Sequence, residues 1–141
     1  MAEETRRSVS LNRTGSEKYE VGNVRGGRIS IGSGQDADFT PVELLLAAIA
    51  GCTAIDVDLL TSRRAEPETF TVASEGDKVR DENGNHMTNL EVTFQVTFPA
   101  GEAGDRARAL LPDAVRMSHD RLCTVSRTVQ LGADVTMHVD G

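Results

Sequence analysis

Residues 40–53 read TPVELLLAAIAGCT, and this stretch decides the fold. Thr40 can cap a helix and Pro41 fits a first helical turn, so a helix is predicted to begin at Pro41 and to end near residue 63 or 64. Its first three turns are apolar on every side, a pattern typical of a helix enclosed by protein. Because one small domain can hardly cover such a helix alone, we expect a partner subunit.

The rest of the 141 residues predicts a single α+β domain (1–141) with an antiparallel sheet around that helix. A β-hairpin region of short strands is expected over residues 1–35, with a turn at Gly26-Gly27. A second β-hairpin is expected over 68–98, with its turn signal at Asp81-Glu82-Asn83-Gly84, and helices over 102–131. Pro112 is expected to kink or break the first of these helices. An alternating terminal strand is predicted over 133–139. The individual strands are predicted at 8–12, 19–24, 28–31, 68–79 and 86–98, and the later helices at 102–119 and 123–131.

Composition and charge exclude several classes of protein. A net charge of -7 argues against binding to a phosphate backbone, so no nucleic-acid partner is expected. The apolar run 44–55 is shorter than the roughly 20 residues that a membrane-spanning helix needs, and no secretory signal is visible. We therefore expect a cytoplasmic protein with no membrane partner.

Two cysteines carry the candidate chemistry. Cys52 lies mid-helix, and Cys123 lies at the predicted start of a later helix, where the helix dipole favours a thiolate. In a reducing compartment such a pair is either two inert thiols or a redox couple. A thiol in an apolar helix has a raised pKa, so a redox role requires a cation, namely an arginine held by a carboxylate. The chain has no paired Cys or His spacing typical of zinc sites, so no metal is expected.

The segment 40–53 resembles the central helix of the OsmC/Ohr family, and Cys123-Thr124-Val125-Ser126-Arg127 resembles its second-cysteine motif. The resemblance covers essentially the whole chain. It implies an intertwined homodimer with two sites at the interface and the reduction of organic hydroperoxides to alcohols. Cys52 would be the peroxidatic thiol and Cys123 the resolving thiol. The reductant would be an external dithiol of the dihydrolipoyl type, and no cofactor would be bound.

The partner groups of Cys52 are less well defined by the resemblance. In the hydroperoxidase branches the carboxylate directly follows the helix-opening proline, whereas this chain has Val42 there and Glu43 one residue later. Glu43 precedes Cys52 by nine residues, which places the two about 180° apart on a regular helix. The alternative role for Glu43 is that of a first-turn carboxylate that interacts favourably with the helix dipole. Asp56, one turn after Cys52, is the second candidate for holding the arginine, unless it is simply exposed.

Three arginines are candidates for the cation: Arg28 fits the OsmC branch, Arg13 fits the Ohr branch, and Arg25 is a third option. His119 is interpreted as a helix C-terminal histidine. Thr124 replaces the proline that often follows the second cysteine in the family. The departures at Val42 and Thr124 keep a second hypothesis open, in which a dimer of the same fold is non-catalytic or senses redox state and binds a small apolar ligand.

Overall fold

A computed structural model describes residues 5–140. The chain divides into two compact units, residues 1–45 and residues 46–141, and each is described by itself. Strands and helices both occur, and every strand pairing is antiparallel apart from one isolated bridge between Ile31 and Phe39. The predicted α+β class is confirmed.

The first unit contains a three-stranded meander. Its strands are β1 (Val9–Gly15), β2 (Lys18–Asn23) and β3 (Arg28–Ile31), with β2 in the centre. The turn between β2 and β3 is closed by the Asn23 side chain, whose oxygen accepts hydrogen bonds from the backbone N–H groups of Arg25 and Gly27. The Gly26-Gly27 turn was predicted from sequence, and β3 has the predicted bounds.

Helix α1 (Pro41–Ser62) is the central helix expected from residues 40–53. Its buried residues follow a spacing of four and form one stripe: Ile49, Thr53, Val57 and Thr61. Ile55 and Leu59, on another face, are 63% and 58% exposed, so the single chain covers only part of the apolar surface.

The length of α1 corrects one expectation. At 22 residues, α1 is long and apolar enough to cross a bilayer, whereas the apolar run 44–55 suggested a segment too short to do so. The core helix of a soluble protein has the same length and composition.

The long hairpin consists of β4 (Thr69–Asp81) and β5 (Gly84–Thr97), joined by a two-residue turn as the Asp81–Gly84 signal predicted. Gly84 has a φ of 95°, which a glycine adopts without a steric penalty. From residue 90 to residue 97 of β5, alternate side chains are half-buried and the others are exposed; the half-buried ones are Leu90, Val92, Phe94 and Val96. A bulge between Glu75 and Asp77 shifts the register.

Helix α2 (Glu102–Met117) continues through Pro112, so of the two expectations for this residue, a kink or a break, the break is wrong. A single proline removes one backbone hydrogen bond, and the 16-residue helix keeps the others. At its start, Gly104 is buried against Pro99. A Cβ at position 104 would lie 1.7 Å from the Pro99 carbonyl oxygen, so only glycine fits.

A π-helical turn (Ser118–Leu122) connects α2 to α3 (Thr124–Leu131). Gly132 ends α3 with a φ of 64°. The predicted helix 102–119 is therefore α2 with the start of the π turn, and the predicted helix 123–131 is α3 with its capping residue.

The predicted terminal strand 133–139 is not formed in the described chain. These residues are irregular, and the alternating side chains Val135, Met137 and Val139 are 80%, 87% and 98% exposed. A strand needs a hydrogen-bonded neighbour, and no strand of the described chain pairs with this segment.

Candidate thiol site in the second unit

The second unit brings the two cysteines together. Cys52 lies on α1 and is half-buried, whereas Cys123 is fully buried at the start of α3. Both are free thiols. A hydrogen bond between the two side chains favours the protonated form of Cys52. The residues that the sequence singled out for a redox couple are therefore neighbours, although 71 positions separate them.

The sulfur of Cys123 caps helix α3. It accepts a hydrogen bond from the Ser126 backbone N–H, with 3.4 Å between nitrogen and sulfur, and the thiol donates to the Ser126 hydroxyl at 3.3 Å. Sulfur is a weak acceptor when protonated and a strong one as a thiolate. The Cys123 sulfur therefore takes the place of a capping oxygen at the first turn of α3, at the helix start where the sequence placed it.

The surroundings of Cys52 act in the opposite direction. Burial raises the pKa of the Cys52 thiol, and the Cys123 side chain and the Asp56 carboxylate raise it further. The backbone N–H of Val125, in the first turn of α3, donates to the Cys52 sulfur and partly offsets this rise in the pKa. Cys52 is therefore a protonated thiol at neutral pH unless an additional positive charge reaches it.

Asp56 lies one helical turn after Cys52 and accepts a hydrogen bond from the hydroxyl of Ser118. The distance between the Ser118 Oγ and the Asp56 Oδ2 is 2.8 Å. The same hydroxyl lies 2.7 Å from the Thr53 Oγ1. Within the second unit the partner of Asp56 is thus a neutral hydroxyl, and the anchoring of an arginine by Asp56 stays a prediction.

An apolar cavity of about 240 Å³ is lined by residues next to the two thiols, although neither cysteine is itself part of the wall. Thr53, next to Cys52, and Ser126, which is bonded to Cys123, both line it. His119 and Gln130 contribute polar groups to the wall. The remaining wall is aliphatic or aromatic and consists of Ile49, Leu90, Val92, Phe94, Val115 and Val129. A cavity of this size and lining is suited to a compact apolar group.

The other predicted site residues belong to the first unit. The Glu43 carboxylate accepts a hydrogen bond from the Thr40 backbone N–H at 2.8 Å, and the Glu43 N–H donates to the Thr40 hydroxyl at 3.2 Å. This reciprocal capping box is the role at the helix start that the sequence allowed for Glu43. Arg28 is exposed and forms an ion pair with Glu20 at 2.8 Å. Arg13 and Arg25 are exposed as well.

Among residues 5–140, no group of three or more His, Cys, Asp or Glu side chains is arranged to hold a metal ion. His119 is exposed and its ring lies 2.8 Å from the Asp120 carboxylate. It lies in the π turn rather than at the end of α2.

Sequence reasoning missed Ser118, Thr53, Ser126 and the amide of Val125. Ser118 and Asp56 are 62 positions apart, and neither lies in a motif that links them. A signal did exist for Ser126, because it lies three residues after Cys123, and the backbone N–H at this position bonds to a helix cap.

The fold and the paired thiols define a class: α+β proteins that carry one cysteine on a long central helix and another at the start of a later helix. The chain belongs to the OsmC-like protein family, whose sequence model matches residues 33–138. This confirms the family inferred from the two cysteine motifs. Proteins of this family are generally soluble.

Similar proteins come from several bacteria. An uncharacterized protein of Mycobacterium tuberculosis is 29% identical over 132 residues, which cover 92% of this chain and 93% of the relative. An OsmC-like protein of unknown function from Vibrio cholerae has a similar structure (TM-score 0.76, 15% identity, 90% of this chain and 95% of that chain). The organic hydroperoxide resistance protein of Bacillus subtilis is also similar in structure (TM-score 0.54, 15% identity, 88% and 90%). These structures confirm the OsmC-like fold.

Proposed function

We propose that this protein is a thiol-dependent peroxidase that reduces organic hydroperoxides to alcohols. The observation that carries the proposal is the contact between the Cys52 and Cys123 side chains, whose neighbours Thr53 and Ser126 line an apolar cavity. Membership of the OsmC-like family, and the structural similarity to an organic hydroperoxide resistance protein, support a role in peroxide resistance.

The reaction consists of two steps on the chain's own sulfurs. The Cys52 thiolate attacks the outer oxygen of the hydroperoxide, the O–O bond breaks, and the alkoxide takes up a proton and leaves as the alcohol. Cys52 is then a sulfenic acid. The Cys123 sulfur attacks this sulfenic acid, a disulfide forms, and water leaves with the hydroxyl oxygen and the thiol proton. An external dithiol of the dihydrolipoyl type returns both cysteines to thiols and is itself oxidised to a disulfide. No bound cofactor is needed.

The first step needs a deprotonated Cys52. Since burial, Cys123 and Asp56 all raise the pKa of this thiol, the Val125 N–H needs the help of a cation. We assign this role to Arg28, with Arg13 as the alternative that the family resemblance offers. Both arginines are exposed in the first unit, and Arg28 forms an ion pair with Glu20 there.

The cavity beside the thiols sets the substrate class. Its apolar wall binds the alkyl or aryl part of a hydroperoxide and leaves the oxygen end at the sulfurs. Hydrogen peroxide has no group that fills this space, so it gains no binding energy there. Organic hydroperoxides are therefore the preferred substrates.

We propose that the protein acts as a cytoplasmic homodimer with the site at the subunit interface. The exposed apolar residues of α1, among them Ile55 and Leu59, support a partner subunit on this helix. The partners are thus a second copy of the chain, the hydroperoxide and the reducing dithiol, with no nucleic acid and no membrane.

The test is a stoichiometric assay with reduced protein and cumene hydroperoxide. One equivalent of peroxide is expected to consume one pair of thiols and to yield a Cys52–Cys123 disulfide that mass spectrometry detects. Cys52→Ser is expected to consume no peroxide, and Cys123→Ser is expected to stop at a trappable sulfenic acid. Retention of both thiols in the wild type at excess peroxide contradicts the proposal.

The raised pKa of Cys52 and the cavity favour a second candidate function, in which the same dimer binds a small apolar ligand without turnover or senses redox state. In that case cumene hydroperoxide does not oxidise the thiols at the rate of a catalysed reaction. An apolar ligand such as cumyl alcohol is then expected to protect Cys52 from alkylation.

A further inference from the structure

Ser118 is a fully buried residue whose polar groups are all bonded to other parts of the second unit. Its N–H donates to the carbonyl oxygens of Ala114 and Val115 in α2. Its carbonyl oxygen accepts from the Cys123 N–H at 2.9 Å. Its hydroxyl donates to the Asp56 carboxylate, 2.8 Å away.

The remaining hydrogen bond of this hydroxyl comes from Thr53. Since a serine hydroxyl has one proton and the carboxylate accepts it, the Thr53 hydroxyl donates across the 2.7 Å to the Ser118 oxygen. Thr53 follows Cys52 directly in the chain, and Asp56 lies one turn after it on the same face of α1. The side chain of Ser118 therefore holds the helix that carries Cys52, while its backbone holds Cys123.

We propose that Ser118 is a positioning residue that sets Cys123 against Cys52 for disulfide formation, through its hydroxyl bonds to Thr53 and Asp56 and its carbonyl bond to Cys123. For the roles of the two thiols this inference rests on the proposed function, which it deepens by naming what aligns the resolving step.

The irregular backbone before Cys123 makes such an anchor necessary. The π turn Ser118–Leu122 separates Cys123 from α2, and the residues of this turn after Ser118 are exposed. Cys123 is buried nevertheless. Because the effective concentration of two thiols falls steeply when their geometry is loosened, losing the bonds of the Ser118 hydroxyl to α1 is expected to weaken disulfide formation.

The experiment measures how readily the two thiols form a disulfide with each other, without any peroxide. Reduced full-length protein is equilibrated anaerobically at pH 7 in mixtures of reduced and oxidised glutathione, quenched with acid and analysed by mass spectrometry. Cys52 and Cys123 lose two electrons and two protons and form one disulfide bond. Glutathione disulfide accepts them and leaves as two glutathione thiols. The equilibrium constant is the effective concentration of the pair.

Ser118→Ala is expected to lower this effective concentration by roughly tenfold, the factor that corresponds to one hydrogen bond to a charged group. Thr53→Val, which keeps the shape of the side chain, is expected to lower it about threefold. Asp56→Asn keeps an oxygen that accepts from Ser118, so its effect is smaller than that of Ser118→Ala.

The matched control is Thr61→Val. Thr61 is buried on the same helix, but its hydroxyl donates to the Val57 carbonyl within α1. In this variant the effective concentration of the Cys52–Cys123 pair is expected to stay within about twofold of wild type, although a buried hydroxyl is lost. Thermal unfolding of the reduced variants separates a loss of stability from a loss of alignment, and Thr53→Val answers the question if Ser118→Ala does not fold.

Three outcomes would each overturn the inference. The first is a wild-type effective concentration in both Ser118→Ala and Thr53→Val, and the second is an equal decrease in Thr61→Val. The third is the absence of a Cys52–Cys123 disulfide in the wild type. The proposed function fails separately: a normal glutathione series together with no consumption of cumene hydroperoxide removes the peroxidase and leaves the positioning role of Ser118 intact.

Discussion

Helices α1 and α3 are each capped by a side-chain atom that accepts from a backbone N–H, but the second hydrogen bond and the chemistry of the cap differ. At α1 the cap is a threonine hydroxyl, and the Glu43 carboxylate three residues later returns a bond to the Thr40 N–H. At α3 the cap is the sulfur of Cys123, and the side chain three residues later is the Ser126 hydroxyl. In both cases the backbone N–H of the third residue donates to the capping atom.

The difference shows which helix start is free to take part in chemistry. In α1 the carboxylate is committed to the cap, so Glu43 contributes to the start of the helix. In α3 the capping atom is itself the candidate redox atom, so a change in its charge or bonding changes the cap. The structural and chemical roles are separate in α1 and coincide in α3.

The largest effect on stability is expected from Cys123→Ala. It removes a cap and a buried sulfur together, and the free energy of unfolding of the reduced protein should fall by about 2–3 kcal/mol. Cys123→Ser keeps an atom that accepts from the Ser126 N–H, so it should lose clearly less. Urea denaturation checks both, and equal losses would show that the sulfur does not act as a cap.

Thr40→Ala is expected to cost about 1 kcal/mol, the usual effect of losing a helix cap. Thr40→Ser retains the hydroxyl and serves as the control. Urea denaturation of the two variants side by side measures the difference. A loss for Thr40→Ala as large as that for Cys123→Ala would remove the distinction between the two helix starts.

Much of this local structure could be predicted from the sequence. The strand β3, the helix α1 and the turn between β4 and β5 follow from local signals: Gly26-Gly27, Thr40-Pro41 and the Asp81–Gly84 turn. The Cys52–Cys123 pair was predicted from two motifs and the family they resemble. The turn and helix-start signals are short-range, whereas the pairing of the two cysteines, 71 positions apart, followed from the family resemblance.

Other features depend on contacts that no local pattern encodes. The hydrogen bond between Ser118 and Asp56 joins residues from separate elements. Helix α2 continues through Pro112 because the backbone hydrogen bonds on either side of the proline are kept, although the proline itself has no N–H to donate. The alternation of residues 133–139 was interpreted as a strand, but alternation does not supply a pairing partner.

A change of pH is expected to have a smaller effect on stability. It acts through Cys52, whose pKa is raised although the Val125 N–H of α3 partly offsets the rise. The pKa of Cys52 is raised in the folded protein, so the folded state disfavours the thiolate. Stability is therefore fully present below the unfolded thiol pKa, roughly 8.5, and declines as pH rises from there through the folded pKa.

Urea titrations of the reduced protein between pH 7 and pH 10 measure this decline. Cys52→Ser has no thiol at this position and should show a flatter profile over the same range. Parallel profiles for the two proteins would mean that the surroundings of Cys52 do not raise its pKa.

The smallest effect is expected from Glu43→Gln. The amide oxygen still accepts from the Thr40 N–H, so unfolding should change by only about 0.5 kcal/mol or less. The rate at which cumene hydroperoxide oxidises Cys52 should stay at the wild-type value. A strong decrease in that rate, with unchanged stability, would assign Glu43 to the thiol site instead of the cap.

The close approach of Gly104 to Pro99 has a consequence at the opposite end of α2. With 16 residues the helix is about 24 Å long, and Ser118 follows directly after its last turn. A side chain at position 104 would push the first turn away from the Pro99 carbonyl, and a stiff rod transmits such a displacement along its length. The alignment of the thiols therefore depends on a hydrogen atom in place of a methyl group, at a corner remote from either sulfur.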